Sequence, residues 1–147
     1  MSSEENKAAV RRYFEEGLNQ GNLALADELN APNWVYHDPD APDVRTLQDY
    51  NQWFTQIRSA YPDFHVTIED LVAEGDKVVV RYLWRGTHTG NFVTPTMHIP
   101  ATGKQVTATG MSVVRFAGGK GVEVWNQTDS LGLFQQLGLI PAPGQAS

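Results

Sequence analysis

The side chains best suited to proton transfer lie in two short segments, residues 34–38 (Trp-Val-Tyr-His-Asp) and residues 125–129 (Trp-Asn-Gln-Thr-Asp). An imidazole next to a carboxylate can act as a general base, so His37 is a first candidate. Asp129 can act as an acid or a base, and the Asn126 amide can donate a hydrogen bond to a developing oxyanion. Together these groups suggest proton transfer on a bound ligand.

Each of these residues also has a structural interpretation. Asp129 precedes Ser130-Leu131-Gly132-Leu133, where an aspartate would cap a helix and contribute ~1 kcal/mol. Asn126 can be satisfied by neighbouring backbone instead of a ligand, and His37 can be a loop histidine bound to backbone. The cap is the favoured interpretation of Asp129, whereas both interpretations stay open for the other two residues.

Aromatic side chains predict the wall of a binding pocket. Tyr13 and Trp84 are the two that we expect to reach it, and Trp34 can shape the wall beside His37. The alternative is that these aromatic residues are ordinary core.

Metal and thiol chemistry are not expected. The four histidines, at 37, 65, 88 and 98, form no His-x-x-x-His motif, and the chain has no cysteine. The absence of cysteine excludes disulfides, thiolate catalysis and Cys-ligated zinc. We therefore predict no metal site.

Length and composition predict one globular domain over residues 1–140, followed by a flexible tail over 141–147. The chain has 147 residues, 41% of them hydrophobic and 10% aromatic, which is enough for a substantial core. A net charge of -6 disfavours nucleic acid or an anionic membrane as partner. Because the polar N-terminus lacks a signal peptide and no run is long enough to span a membrane, the expected location is cytoplasmic.

Three helices are predicted in the first half. Ser2 and Glu5 can form a capping box for the first, which continues to Gly21. Asn22 is the predicted cap of a short second helix, and Thr46 that of a third, which ends before Pro62.

The second half reads as strands. Residues 64–73, 77–88, 106–117 and 121–128 are rich in β-branched and aromatic residues, with turns at 74–76 and 118–119. A short closing helix follows, and Trp34 to Tyr36 suggest a brief extended piece. This order predicts an α+β fold in which N-terminal helices pack in a curved antiparallel sheet. Small residues in the third strand suggest a pocket beside the helices.

Several motifs resemble the SnoaL-like polyketide cyclase family of the nuclear transport factor two-like superfamily. They are Gly86-Thr87-His88-Thr89-Gly90, Pro100-Ala101-Thr102-Gly103-Lys104, Gly119-Lys120, and Trp125 followed by Asp129, residues 133–138 and Pro141. The resemblance implies a cone-shaped α+β barrel, a deep cavity for a small hydrophobic molecule, and a homodimer formed through the outer sheet face. It also implies intramolecular aldol condensation without a cofactor. His88 and His98 flank the segment that closes the cavity in this family, so both are candidate ligand contacts.

The family pattern is altered at two positions. The resemblance places the acid/base aspartate three residues before Asp129, where this chain has Asn126, and a neighbouring histidine where it has Ser112. The chain is thus either a cyclase or related lyase or isomerase, or a non-catalytic binding module that has lost the acid/base pair. Ketosteroid isomerases and epoxide hydrolases of the same fold need inward carboxylates, and the sequence offers no clear pair of them.

Overall fold

The computed structural model describes residues 2–141 and residue 144, so most of the predicted tail lies outside the described residues. In chain order the elements are α1 (Ser3–Arg12), a π-helical turn (Tyr13–Leu18), α2 (Ala24–Leu29), β1 (Asn30–His37), α3 (Leu47–Ala60), β2 (His65–Glu74), β3 (Lys77–Thr87), β4 (Phe92–Thr94), β5 (Met97–Ile99), β6 (Gln105–Ala117), β7 (Lys120–Thr128) and α4 (Ser130–Leu137). No helix among the described residues is both long enough and apolar enough to cross a bilayer.

Local capping explains where the helices begin. The Ser2 hydroxyl accepts the Glu5 N–H at 3.1 Å, and Thr46 caps α3 in the same way. Both predicted caps are confirmed. The prediction that Asn22 caps α2 is wrong, because α2 begins after Leu23, with no side-chain hydrogen bond at its start.

The first helix changes its winding at Tyr13. From Tyr13 to Leu18 the backbone forms a π-helical turn, in which the Asn19 N–H bonds to the Phe14 carbonyl five residues earlier at 3.1 Å. Such turns are rare and frequently occur at functional sites. Here the turn places Tyr13, Phe14 and Leu18 along one cavity between the helices and the sheet.

The main sheet has five strands in the order β1-β7-β6-β3-β2. The pairs β2–β3, β3–β6 and β6–β7 are antiparallel, as predicted, but β1 pairs in parallel with β7. The wholly antiparallel sheet is therefore corrected to a mixed one. The brief extended piece predicted at residues 34–36 belongs to β1, whose partner lies at the far end of the chain.

The core lies between the helices and the inner face of the curved sheet. On β3, Val78, Val80, Tyr82 and Trp84 alternate inward and are all buried. Opposite Tyr82 on β6 lies Gly110, where a Cβ atom would collide with the Tyr82 hydroxyl. The small residue therefore lets the Tyr82 hydroxyl reach across β6 toward β7.

Candidate functional site

A large cavity lies between the helices and the inner sheet face. Its volume is about 690 Å³, within the range of pockets that hold drug-sized molecules. The wall is mostly apolar and rich in aromatic groups, among them Tyr13, Trp34, Tyr36, Tyr50, Tyr82 and Trp84. The site is thus suited to a hydrophobic molecule with a few polar groups.

Asp38 is the buried carboxylate of this wall. It follows β1 directly and is only 6% exposed. The Tyr36 hydroxyl donates to its Oδ2 at 3.1 Å and the Asp40 N–H donates to its Oδ1 at 2.9 Å. A third donor, the Asn126 amide, reaches Oδ2 at 3.0 Å. Among the described residues, Asp38 is the one buried acid, and the three donors fix the orientation of its carboxyl group.

Asn126 lies in the same wall and is also 6% exposed. Because a carboxylate has no proton to donate, the amide nitrogen must face Asp38 and the amide oxygen must face away. That oxygen accepts the Tyr82 hydroxyl at 2.6 Å and the Ser112 hydroxyl at 2.7 Å. The β6–β7 register places Ser112 directly opposite Asn126. Three strands therefore contribute to one hydrogen-bonded group around Asn126.

His37 lies on the opposite face of the sheet. Alternation along β1 directs Trp34 and Tyr36 inward and His37 outward. The His37 Nε2 is 2.7 Å from a Glu123 carboxylate oxygen, and the ring stacks on Trp125. The hydrogen bond from His37 lowers the pKa of Glu123. The prediction of His37 as a general base for a cavity ligand is corrected, because its ring does not reach the cavity.

Asp129 is a helix cap. Its carboxylate accepts the Gly132 N–H at 3.0 Å at the start of α4, and its side chain is exposed. It does not line the cavity, so the structure favours the capping interpretation over the catalytic one.

The predicted ligand contacts divide into two groups. One group lies in the cavity wall: Tyr13, Trp34, Trp84 and also Ser112, which is a candidate contact because it occupies the position of the family's histidine. His88 and His98 do not lie there. His98 is exposed on β5, and His88 is fully buried behind the wall, where its ring stacks on Tyr61.

The buried tyrosines are neutral hydrogen-bond donors. Burial raises the pKa of the hydroxyls of Tyr13, Tyr36, Tyr50 and Tyr82 above the ordinary value. Each hydroxyl therefore keeps its proton at neutral pH and can donate it to an oxygen atom.

Trp34 brings a further donor into the wall. It is 4% exposed, and its indole N–H has no acceptor among the described residues. Buried donors are normally paired, so an acceptor at this point of the site would be stabilising.

The sequence interpretation missed Asp38, which it treated only as a neighbour of His37. A signal was present, because Trp34, Tyr36 and Asp38 follow the alternation of one strand face. The same alternation correctly places Asn126 on the inner face of β7.

The charges around the cavity are of one sign. Among the described residues that line the cavity, the charged ones are Asp38, Asp40, Asp43 and Asp49. None of these lining residues is a lysine, an arginine or a histidine. The described residues also contain no cluster of three or more His, Cys, Asp or Glu side chains able to hold a metal ion.

Solved structures of similar fold support this architecture. A candidate polyketide cyclase from Acidithiobacillus ferrooxidans is 33% identical, with a TM-score of 0.79 over 95% of this chain and 99% of that one. AclR from Streptomyces galilaeus, described as a candidate hydroxylase, is 26% identical with a TM-score of 0.84, over 98% of this chain and 87% of that one. A candidate SnoaL-like polyketide cyclase from Jannaschia sp. CCS1 is 23% identical with a TM-score of 0.82, over 95% of each chain, and shows the fold alone.

The sequence comparison agrees with the fold. No protein among curated sequences matches the chain. The model of the SnoaL-like polyketide cyclase family matches residues 8–137, which include every strand and nearly every helix. The chain therefore belongs to the SnoaL-like polyketide cyclase family.

Proposed function

We propose that this protein binds a hydrophobic carbonyl compound in its cavity and catalyses proton transfer on it without a cofactor. The reaction would be an aldol ring closure, as in a polyketide cyclase, or a related lyase or isomerase reaction. The observation that carries the proposal is the Asp38 carboxylate, which is buried in an aromatic cavity and oriented by three hydrogen bonds.

The proposed step begins with removal of a proton from carbon. Asp38 takes the proton from the carbon next to a ligand carbonyl, and the C–H electrons move to make an enolate. The enolate carbon then attacks a second carbonyl of the same molecule, and the alkoxide that forms takes the proton back from Asp38. The overall reaction makes one C–C bond and consumes no external reactant.

Donors in the wall would stabilise the enolate oxygen. Tyr13 and Tyr50 carry neutral hydroxyls, and the Trp34 indole N–H has no acceptor among the described residues. Donors of this kind, held in an apolar site, stabilise a developing negative charge more than water does.

A second candidate function is that of a non-catalytic module that binds the same class of ligand. It is supported by the amide at position 126, where the family resemblance places an acid/base aspartate. In this alternative, Asp38 serves only as the hydrogen-bond acceptor for the Tyr36 hydroxyl and the Asn126 amide.

A reporter of general bases separates the two functions without knowledge of the natural ligand. In 5-nitrobenzisoxazole, loss of one C–H proton forms a nitrile and breaks the N–O bond, which releases a coloured phenolate. We expect the protein to accelerate this reaction above buffer, and Asp38→Asn to lower kcat/KM by about 100-fold or more. His37→Ala is the matched control, because this neighbouring side chain faces outward, and its rate should equal that of the wild type.

Equal rates for the wild type and Asp38→Asn would refute the role of Asp38. A protein that binds 2-acetylnaphthalene, as measured by quenching of tryptophan fluorescence, yet gives no rate above buffer would be a binding module. If the wild type does accelerate the reporter reaction, an assay of ring closure on a polyketide β-keto ester tests the cyclase reaction itself.

A further inference from the structure

We propose that Asn126 is the positioning residue for the Asp38 carboxylate. The proposal has a second part: with an amide at position 38 and a carboxylate at position 126, the cavity would still contain a general base. The inference rests on the proposed function, because it assigns Asn126 a task in support of Asp38. It replaces the oxyanion-binding role that the sequence suggests for Asn126.

The hydrogen-bonding capacity of Asn126 is used within the protein. An amide oxygen has two acceptor sites and an amide nitrogen has two protons. The oxygen accepts from Tyr82 and Ser112, and the nitrogen donates to Asp38 at 3.0 Å and to the Thr128 hydroxyl at 3.2 Å. No site on the amide is left for a ligand oxygen, so its influence on the ligand passes through Asp38.

The amide has one permitted orientation. If it were flipped, its oxygen would face the Asp38 carboxylate, and two acceptors would meet without a proton between them. The Tyr82 and Ser112 hydroxyls lie on rigid strands on the other side and both donate to the amide oxygen. The Asn126 nitrogen is thus held against Asp38 Oδ2, which is also fixed by Tyr36.

The hydrogen-bond partners of residues 38 and 126 can bind the pair in both arrangements, with the carboxylate at position 38 or at position 126. A carboxylate at position 126 would still accept the hydroxyl protons of Tyr82 and Ser112. An amide at position 38 would still accept the Asp40 N–H and would donate to that carboxylate. The Tyr36 hydroxyl both donates and accepts, so it can turn to receive the amide. The exchange therefore conserves the hydrogen bonds and moves the base to the position that the family resemblance gives to an aspartate.

The test compares four variants in the 5-nitrobenzisoxazole reaction: Asn126→Leu, Asn126→Asp, Asp38→Asn and the double variant Asp38→Asn/Asn126→Asp. We expect Asn126→Leu to lower kcat by about tenfold to 100-fold with little change in KM, because the carboxylate remains but is misplaced. The double variant should exceed Asp38→Asn by about tenfold or more. Asn126→Asp should move the rate profile to higher pH, because two adjacent carboxylates cannot both ionise easily.

Folding is followed separately by the midpoint of thermal unfolding. A double variant that melts near the wild type yet reacts no faster than Asp38→Asn would overturn the exchange. Wild-type kcat in Asn126→Leu would overturn the positioning role.

A further readout does not depend on catalysis. If Asp38→Asn keeps the wild-type rate, the proposed function fails, and a crystal structure of Asn126→Leu still judges the positioning role. A carboxylate turned away from its wild-type orientation supports that role, and an unchanged carboxylate overturns it.

Discussion

The Asn126 side-chain amide donates to Asp38 Oδ2 across 3.0 Å, and this hydrogen bond joins the end of β1 to the closing strand β7. Two residues far apart in the chain thereby form one hydrogen-bonded pair in the wall of a mostly apolar cavity. The carboxyl group that the family resemblance places on β7 is found instead at the end of β1.

Replacement of Gly110 by alanine should disturb the hydrogen bonds around Asn126, although Gly110 itself takes no part in them. The new Cβ would collide with the Tyr82 hydroxyl and lie 2.9 Å from the Gln127 carbonyl oxygen. Overpacking of this kind costs about 1–3 kcal/mol, measured as the free energy of unfolding in urea. Part of this loss should disappear when Gly110→Ala is made in a Tyr82→Phe background. A Gly110→Ala protein as stable as the wild type would contradict the close approach.

The cavity should select ligands by charge. Among the described residues, its lining includes four aspartates and no basic side chain, so an anionic ligand is repelled electrostatically. We expect methyl 2-naphthoate to bind roughly tenfold more tightly than 2-naphthoate at pH 7 and low salt, as measured by tryptophan quenching. Asp43→Asn, at an exposed part of the wall, should narrow this ratio, as should added salt. Equal affinity for the two compounds at low salt would show that the aspartates do not select.

His88 should make stability depend on pH. Burial lowers the pKa of its imidazole in the folded protein, so the unfolded chain binds a proton more readily. The stabilisation is complete above the unfolded pKa, about 6.5, and decreases as pH falls below it toward the folded pKa. The decrease in thermal midpoint between pH 7.5 and 5.5 should be smaller for His88→Gln than for the wild type. His65→Gln, at an exposed position on β2, should retain the wild-type dependence, and an identical slope in all three proteins would contradict the assignment.

The outer sheet face should form a homodimer. Val35, Val72, Met111 and Trp125 are exposed there, and Trp125 stacks on His37. Exposed apolar groups on one face favour association with a second copy. Trp125→Glu should shift the sedimentation coefficient toward the monomer. Leu131→Glu on α4 alters an apolar side chain that is 62% exposed but lies off the sheet, and it should leave the dimer intact. A wild-type protein that sediments as a monomer at high concentration would refute the prediction.

Local patterns in the sequence predicted a large part of this fold. The Ser2 and Thr46 caps and the hairpin turn at 74–76 depend on residues a few positions apart, so the sequence alone can predict them. The capping role of Asp129 is of the same kind. By contrast, the sequence predicts only a short extended piece within β1, because the hydrogen-bond partner of this strand, β7, is remote in sequence.

The α+β fold class, the family resemblance and the strand alternation that directs Asn126 inward all follow from local patterns in the sequence. The identity of the acid beside Asn126 follows only from the folded chain, because Asp38 and Asn126 are 88 residues apart and meet through the parallel pairing of β1 with β7. Strand alternation then sends His37 outward to Glu123 and leaves Asp38 in the cavity wall. Adjacent residues on a strand face opposite sides, so the choice between His37 and Asp38 depends on which side of the sheet the helices cover.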